Sequence, residues 1–267
     1  MFAKIKHLAI VSEKCEILGE FYKSIFGMKS SGGTRPSGSV AVGDGYVGMN
    51  FNPRKPGRQA GLDHFGFEVE DVEVVYARMR EKYPSVQALK RPSNRPFAGI
   101  STHDPAGNVF DLSQKGMENR SDVYVEGERE QDRHVRHFAL RTVDPTTVAR
   151  FYRDVFELTE LEKPAGDPNF YLTDGKVTLV VIPWNITDYE GTGIERPALD
   201  HIGFKVESVD AVKRDLQTFT NRNPALSPKA SKKTDEQEAR FKLFSKCSYG
   251  QFHFSDPDGV LIDVAER

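Results

Sequence analysis

The 267-residue chain has little cysteine: Cys15 and Cys247 stand far apart in unlike contexts. Two such thiols argue against a disulfide framework or a cysteine-rich zinc site and suit a reducing, cytoplasmic setting. An excess of one charge is also missing, because 37 basic residues face 39 acidic ones with no long single-sign block. That balance argues against a nucleic-acid or membrane partner and leaves a small-molecule substrate as the expected one, with a homo-oligomer left open. No apolar run is long enough to span a bilayer. The patch in MFAKIKHLAIV is too short for a secretory signal and is interrupted by His7 and SEKCE.

What the chain does have is itself, twice. KHLAIVSEKCEILGEFYKSIFGM from Lys6 matches RHFALRTVDPTTVARFYRDVFEL from Arg136, and GLDHFGFEVEDV from Gly61 matches ALDHIGFKVESV from Ala198. HDPAGNVFDL then matches SDPDGVLIDV. The offset grows from 130 to 137 to 152 along the chain. The second copy therefore carries insertions, a few residues near WNITDYEGTGIERP and more in NRNPALSPKASKKTDEQEA. The latter is rich in Lys, Ser, Pro and Glu and reads as an exposed loop at the mouth of the second module, with a smaller chance of being an active-site lid. KGMENRSDVYVEGEREQDR has little apolar periodicity and is the natural linker. The expected division is a first module at 1–116, a linker at 117–133 and a second module at 134–267.

Each copy repeats one internal order. A short apolar strand leads into an amphipathic helix ending in FYKSIFGM or FYRDVFEL, whose apolar spacing predicts a face buried against a sheet. Strand-like runs separated by Gly turns follow, and after LDH the pattern restarts with a strand, a helix and strands joined by DPAG or DPDG. The expectation is an α+β fold in which a βαβββ unit is used four times, paired units curling into a mixed sheet with a concave face.

These motifs resemble the vicinal oxygen chelate superfamily, which includes glyoxalase I, extradiol ring-cleaving dioxygenases and bleomycin-resistance proteins. The resemblance covers nearly the whole chain; it is specific for fold and weak for reaction. It implies metal ligands on the strands opening the two units of a module and on the last strand: His7, His64 and Asp111 in the first module, His137, His201 and Asp263 in the second. The residue types point the same way. Two imidazoles and a carboxylate suit a divalent transition metal, and such a triad with open positions is characteristic of non-haem Fe(II). A carboxylate flanked by apolar residues near the end of a buried strand also needs a partner. A lone histidine is more often a satisfied core residue, but three matched positions in two copies shift the balance. Fe(II) is favoured, with Mn(II), Zn(II) or Ni(II) as alternatives. Whether each triad closes within its module or by exchange, for instance His7 with His201 and Asp263, is open at this level.

Other polar residues carry less. His103 and Asp104 beside a turn, and His134 at the linker edge, read as solvated; Trp184 and Tyr189 could wall a pocket. Glyoxalase I usually supplies a fourth ligand, a glutamate, and the corresponding positions here fall close to Met49 and Val180. Neither is a hard oxygen ligand, which favours three-ligand chemistry of the extradiol type on a catechol- or hydroquinone-like ring. Two departures weaken that match: no acid/base histidine stands around Pro183 to Thr187, and the carboxylate is Asp where Glu is common. His253, ten residues before Asp263, is the candidate catalytic acid/base if the two strands pair, whereas the first copy has Ser101 there and cannot titrate near neutrality. The second module is therefore the expected active one. A metal-dependent lyase, isomerase or epimerase, and a metal-free ligand-sequestering protein, are the alternatives.

Overall fold

The structure, a computed structural model, describes residues 1–30, 34–93, 95–117, 131–192, 194–228, 234–247 and 249–266. Most of the expected linker, residues 118–130, and residues 229–233 of the polar run lie outside the described residues.

The first module opens with β1 (Ala3–Ser12), α1 (Cys15–Phe26), β2 (Lys29–Ser30), β3 (Val40–Gly43) and β4 (Gly48–Pro53). It continues with β5 (Gly61–Val69), α2 (Val72–Lys82), β6 (Ala88–Lys90), β7 (Ile100–His103) and β8 (Val109–Gln114). These strands form one mixed sheet in the order β2-β3-β4-β1-β5-β8-β7-β6. The second module runs β9 (His134–Thr142), α3 (Pro145–Phe156), β10 (Thr159–Glu160), β11 (Phe170–Thr173) and β12 (Thr178–Pro183). After α4 (Ile186–Thr192) come β13 (Leu199–Lys205), α5 (Val209–Arg222), α6 (Asp235–Cys247), β14 (Phe252–Ser255) and β15 (Leu261–Ala265). Its sheet has the order β10-β11-β12-β9-β13-β15-β14. The expected α+β architecture of two modules holds, with two corrections. Among the described residues the fourth unit has two strands after its helix, not three. The polar run is also not all loop: it winds into α6 from Asp235, where the first copy has the short edge strand β6.

The FYKSIFGM and FYRDVFEL helices bury their apolar faces as their spacing predicts, and both reach across to the other module. The ring of Phe26 stacks on Phe204 with centroids 3.8 Å apart, and Phe67 stacks on Phe156 at 4.4 Å. Polar ties across the interface are reciprocal. Tyr22 donates to Asp256 at 3.2 Å, and Tyr152 donates to Asp104 at 3.0 Å. Asp44 accepts the Val135 amide at 2.8 Å, and Asp174 accepts the Ile5 amide at 2.6 Å. Asp104 is thus fully buried, not solvated as its turn position suggests. It closes the DPAG turn through the amides of Ala106 and Asn108 and takes the tyrosine of the other copy.

Candidate metal centres

At the middle of each sheet, the strand opening the first unit lies beside the strand opening the second, and that one beside the strand closing it. His7 on β1, His64 on β5 and Asp111 on β8 therefore come from adjacent strands, as do His137 on β9, His201 on β13 and Asp263 on β15. In the first module His7 Nε2 lies 3.4 Å from His64 Nε2, which lies 3.1 Å from Asp111 Oδ2. In the second, His137 Nε2 lies 3.3 Å from His201 Nε2 and 3.4 Å from Asp263 Oδ1, and His201 Nε2 lies 3.8 Å from Asp263 Oδ2. In both triads the three donor atoms lie within 4.8 Å of one another. Both close within their own module, so the exchanged set of His7 with His201 and Asp263 does not form.

The glycine of LDHxG makes this convergence possible. Gly66 pairs with His7 on one side and Asp111 on the other, and Gly203 likewise with His137 and Asp263. Two residues after the histidine, it points to the same face. A Cβ on Gly203 would stand inside the His137 imidazole and 2.5 Å from Asp263 Oδ1. The missing side chain is the room in which the donors meet.

The aspartate of LDH has a separate task. Strand alternation would turn it away from the histidine it precedes, but the register slips by one residue at Asp63 and again at Asp200. Such a bulge re-aims a side chain. Asp63 Oδ2 thus lies 2.7 Å from His64 Nδ1, and Asp200 Oδ2 lies 2.7 Å from His201 Nδ1. Each carboxylate holds the proton on Nδ1 and leaves the Nε2 lone pair directed at the triad. Without a cation or an added proton, each triad would then bring an imidazole lone pair and a carboxylate together, an arrangement of acceptors with nothing to accept. The donor set and its supporting shell fit a divalent metal. For Asp63 and Asp200 the signal in the sequence is their place in the repeated LDH.

The metal-free electrostatics agree. Burial would lower the His64 pKa, but Asp111 and Asp63 outweigh it and raise it to about 9. Burial would raise the Asp200 carboxyl, but Arg240, His201 and Arg141 hold it well below the usual range. Asp200 Oδ1 accepts from Arg141 Nε and from Arg240 Nη2, each at 2.6 Å. Asp63 is instead held by the exposed Arg58. Burial, the largest influence on His137, lowers its pKa.

The two centres differ in cover. His64 keeps 19% of its side chain exposed, whereas His137, His201 and Asp263 keep 1%, 0% and 1%. Over the first, Phe97 at a φ of 54° lays its ring parallel to His7 at 4.9 Å. Over the second, Phe244 of α6 packs 4.7 Å from His201 and Tyr249 stands edge-on to His137 at 5.2 Å. Ala139, Tyr171, Val180, Ile182 and Tyr249 form one apolar cluster in this second cup. Neither Phe97 nor Phe244 was marked by the sequence.

His253 lies directly opposite Asp263 across β14 and β15, as Ser101 lies opposite Asp111. The Ser101 hydroxyl donates to Asp111, and His253 packs edge-on against Phe244 at 4.8 Å. Burial lowers the His253 pKa, opposed by Asp263. The expected fourth-ligand position needs a shift of one residue. Asn50, not Met49, pairs with Ala9 on the His7 face, whereas Val180 does pair with Ala139; Met49 belongs to the core. His103 and His134 stay at the periphery, although His103 accepts the Gln87 amide at 3.1 Å. Trp184 donates to the Ile194 carbonyl and Tyr189 is exposed, so neither forms part of the apolar cluster in the cup. A cleft of about 910 Å³ between the modules contains none of the six donors but is lined by Arg58, Asp63, Arg196, Asp200 and Arg240, the supporting shell seen from outside.

The profile of one protein family, described as Glyoxalase/Bleomycin resistance protein/Dioxygenase superfamily, matches residues 4–112 and 134–264. No curated protein matches the chain. Similar solved structures include the Mn(II)-bound glyoxalase from Novosphingobium aromaticivorans, with TM-score 0.64 and 14% identity over 98% of this chain and 81% of that one. The 2,2',3-trihydroxybiphenyl 1,2-dioxygenase from dibenzofuran-degrading Sphingomonas wittichii strain RW1 gives 0.64 and 14% over 99% and 90%. A xylose isomerase-like TIM barrel/4-hydroxyphenylpyruvate dioxygenase fusion protein gives 0.61 and 14% over 99% of this chain, which spans about half, 48%, of that protein. At these identities the likeness is one of fold.

Proposed function

The chain belongs to the glyoxalase/bleomycin resistance protein/dioxygenase superfamily, and from that premise we propose that it is a divalent-metal enzyme, an extradiol-type ring-cleaving dioxygenase using Fe(II) on a catechol- or hydroquinone-like aromatic. His137, His201 and Asp263 hold the working metal, and His7, His64 and Asp111 a weaker or vacant second site. The carrying observation is the second cup: three donors, Val180 where a fourth carboxylate would stand, and walls of Tyr171, Tyr249, Val180 and Ile182. Such walls suit a flat, apolar ring. A divalent metal held by these three donors would supply a Lewis acid able to take both vicinal oxygens of a catechol or one oxygen of a hydroquinone and, as Fe(II), to react with O₂.

The chain's own residues do the rest. Asp200 keeps His201 in one tautomer and orientation. Phe244 and Tyr249 exclude water from the cup. A diol must lose protons on binding and the product must regain them, and we assign one of these transfers to His253, a reading supported by its position opposite Asp263 and off the triad. Both atoms of O₂ enter the ring-opened product, so no further reductant is required.

The test is metal analysis followed by anaerobic loading with Fe(II) and O₂ uptake with a panel of catechols and hydroquinones. Uptake matched by a ring-opened product supports the reading. Bound metal with no uptake on any of them refutes it and favours proton-transfer chemistry without O₂, a reading encouraged by the equal likeness to a Mn(II)-bound glyoxalase.

A further inference from the structure

We infer that helix α6 is the gate of the second centre and that Arg240 is its latch, a positioning residue that acts on His201 through Asp200. The inference rests on the reading of His137, His201 and Asp263 as a metal centre. Their side chains are 0–1% exposed, so no aromatic ring reaches them unless the cover moves. Much of that cover is α6. Phe244 is fully buried and lies between His201 and His253, at 4.7 and 4.8 Å from their rings.

The rest of the described part of α6 is partly buried or exposed. Of its residues 235–246, Phe244 is the one that is fully buried. Beside it α6 lies against α4, which has no buried residue of its own. These two helices belong to the two insertions that lengthen the second copy, so the added segments pack on each other, outside the sheet. An element with few buried contacts opens at less cost than the core beneath it.

The latch makes opening consequential. Arg240 Nη2 and Arg141 Nε both donate to Asp200 Oδ1, and Asp200 Oδ2 takes His201 Nδ1. Arg141 belongs to β9 and stays; Arg240 leaves with α6. Lifting the helix therefore uncovers the cup and removes one of the three bonds that fix the carboxylate orienting His201. Closing restores both together, so a substrate seated under Phe244 also tightens the metal ligand. Among the described residues the first centre has no counterpart to α6: Asp63 is held by the exposed Arg58, which lies in the segment before β5 and on no helix.

The experiment uses the full chain loaded with Zn(II) and a chromogenic chelator, following release with time. Two phases are expected: a fast one from the first centre, lost in His64→Ala, and a slow one from the second, lost in His201→Ala. Phe244→Ala and Arg240→Gln should each speed the slow phase by at least about tenfold, in line with the usual effect of removing a ligand's supporting partner. The fast phase should not change, and Arg240→Lys should restore most of the delay. A slow phase unmoved in both variants, with melting temperatures kept, overturns the gate. A chain that takes up no Zn(II) overturns the metal centre and the gate with it, an outcome visible before any release is timed.

Discussion

Replacing Gly203 by alanine adds one methyl group at the point where the second centre has no room. The new Cβ would stand inside the His137 imidazole and 2.5 Å from Asp263 Oδ1, about 1 Å closer than the ~3.5 Å at which non-bonded atoms rest comfortably. Neither neighbour can yield freely, because His137 and Asp263 are buried and sit on β9 and β15, the strands flanking Gly203. Overpacking of this kind costs about 1–3 kcal/mol, which a domain of this size survives while the donors are driven apart. The same change at Gly66 meets Phe97 Cδ1 at 2.7 Å, His7 Cβ at 3.1 Å and the Asp111 carbonyl at 3.0 Å. There the ring of Phe97 can swing aside, so the first centre should be damaged less. The assay is metal stoichiometry by mass spectrometry of the loaded protein, beside a chemical unfolding curve. Gly203→Ala should lose the metal of the second centre and remain folded; a folded Gly203→Ala chain that keeps its full metal content would refute the packing argument.

Three further outcomes follow from the same geometry. His201→Ala should remove metal from the second centre and abolish activity, read by metal content and O₂ uptake together; retention of both would mean that the ligands are elsewhere. His253→Phe should keep its metal and lose roughly a hundredfold or more in turnover, the usual scale for a proton-transfer group, and an undiminished rate would remove His253 from the mechanism. Asp256, at the interface, has its carboxyl raised from 3.8 to about 6, mainly by burial. The fold therefore favours the protonated form: this group contributes about 3 kcal/mol below pH ~3.8, lost as pH rises through about 6. Asp256→Asn keeps an oxygen for the amides of Asp258, Gly259 and Val260. It should match or exceed wild-type stability near pH ~7.5 and lose that advantage near pH ~4, by unfolding at both; a variant clearly weaker at the higher pH would show that the ionised carboxylate is the favoured form.

Much of this was legible because the chain repeats. Alignment of the copies picked out His7, His64 and Asp111 with His137, His201 and Asp263, and the alternation around them placed strands correctly. Closure within a module could not be read, since it depends on β1 lying beside β5 and β5 beside β8, long-range neighbours that no local pattern specifies. The Met49 position failed by one residue, and one residue in a strand reverses the face: Asn50 looks into the cup and Met49 into the core. The bulges that bring Asp63 and Asp200 to their histidines are likewise slips of register, invisible without the partner strand. Helix α6 was hidden for a different reason. Its inward stripe of Gln237, Arg240, Phe241 and Phe244 is half polar, so it does not show as apolar helical periodicity in DEQEARFKLFSKC. The tyrosines of the two FY motifs were expected to pack, and they do, but that each would reach an aspartate of the other copy follows only from how the modules meet.

The central claim, that His137, His201 and Asp263 hold the working metal and the first triad binds it more weakly or not at all, is tested most directly by crystals of Fe(II)-loaded protein measured on both sides of the iron absorption edge. An anomalous peak bounded by His137 Nε2, His201 Nε2 and the Asp263 carboxylate is predicted, with a weaker one or none at His7, His64 and Asp111. Iron bound at other residues, or absent from both triads at saturating Fe(II), would contradict it.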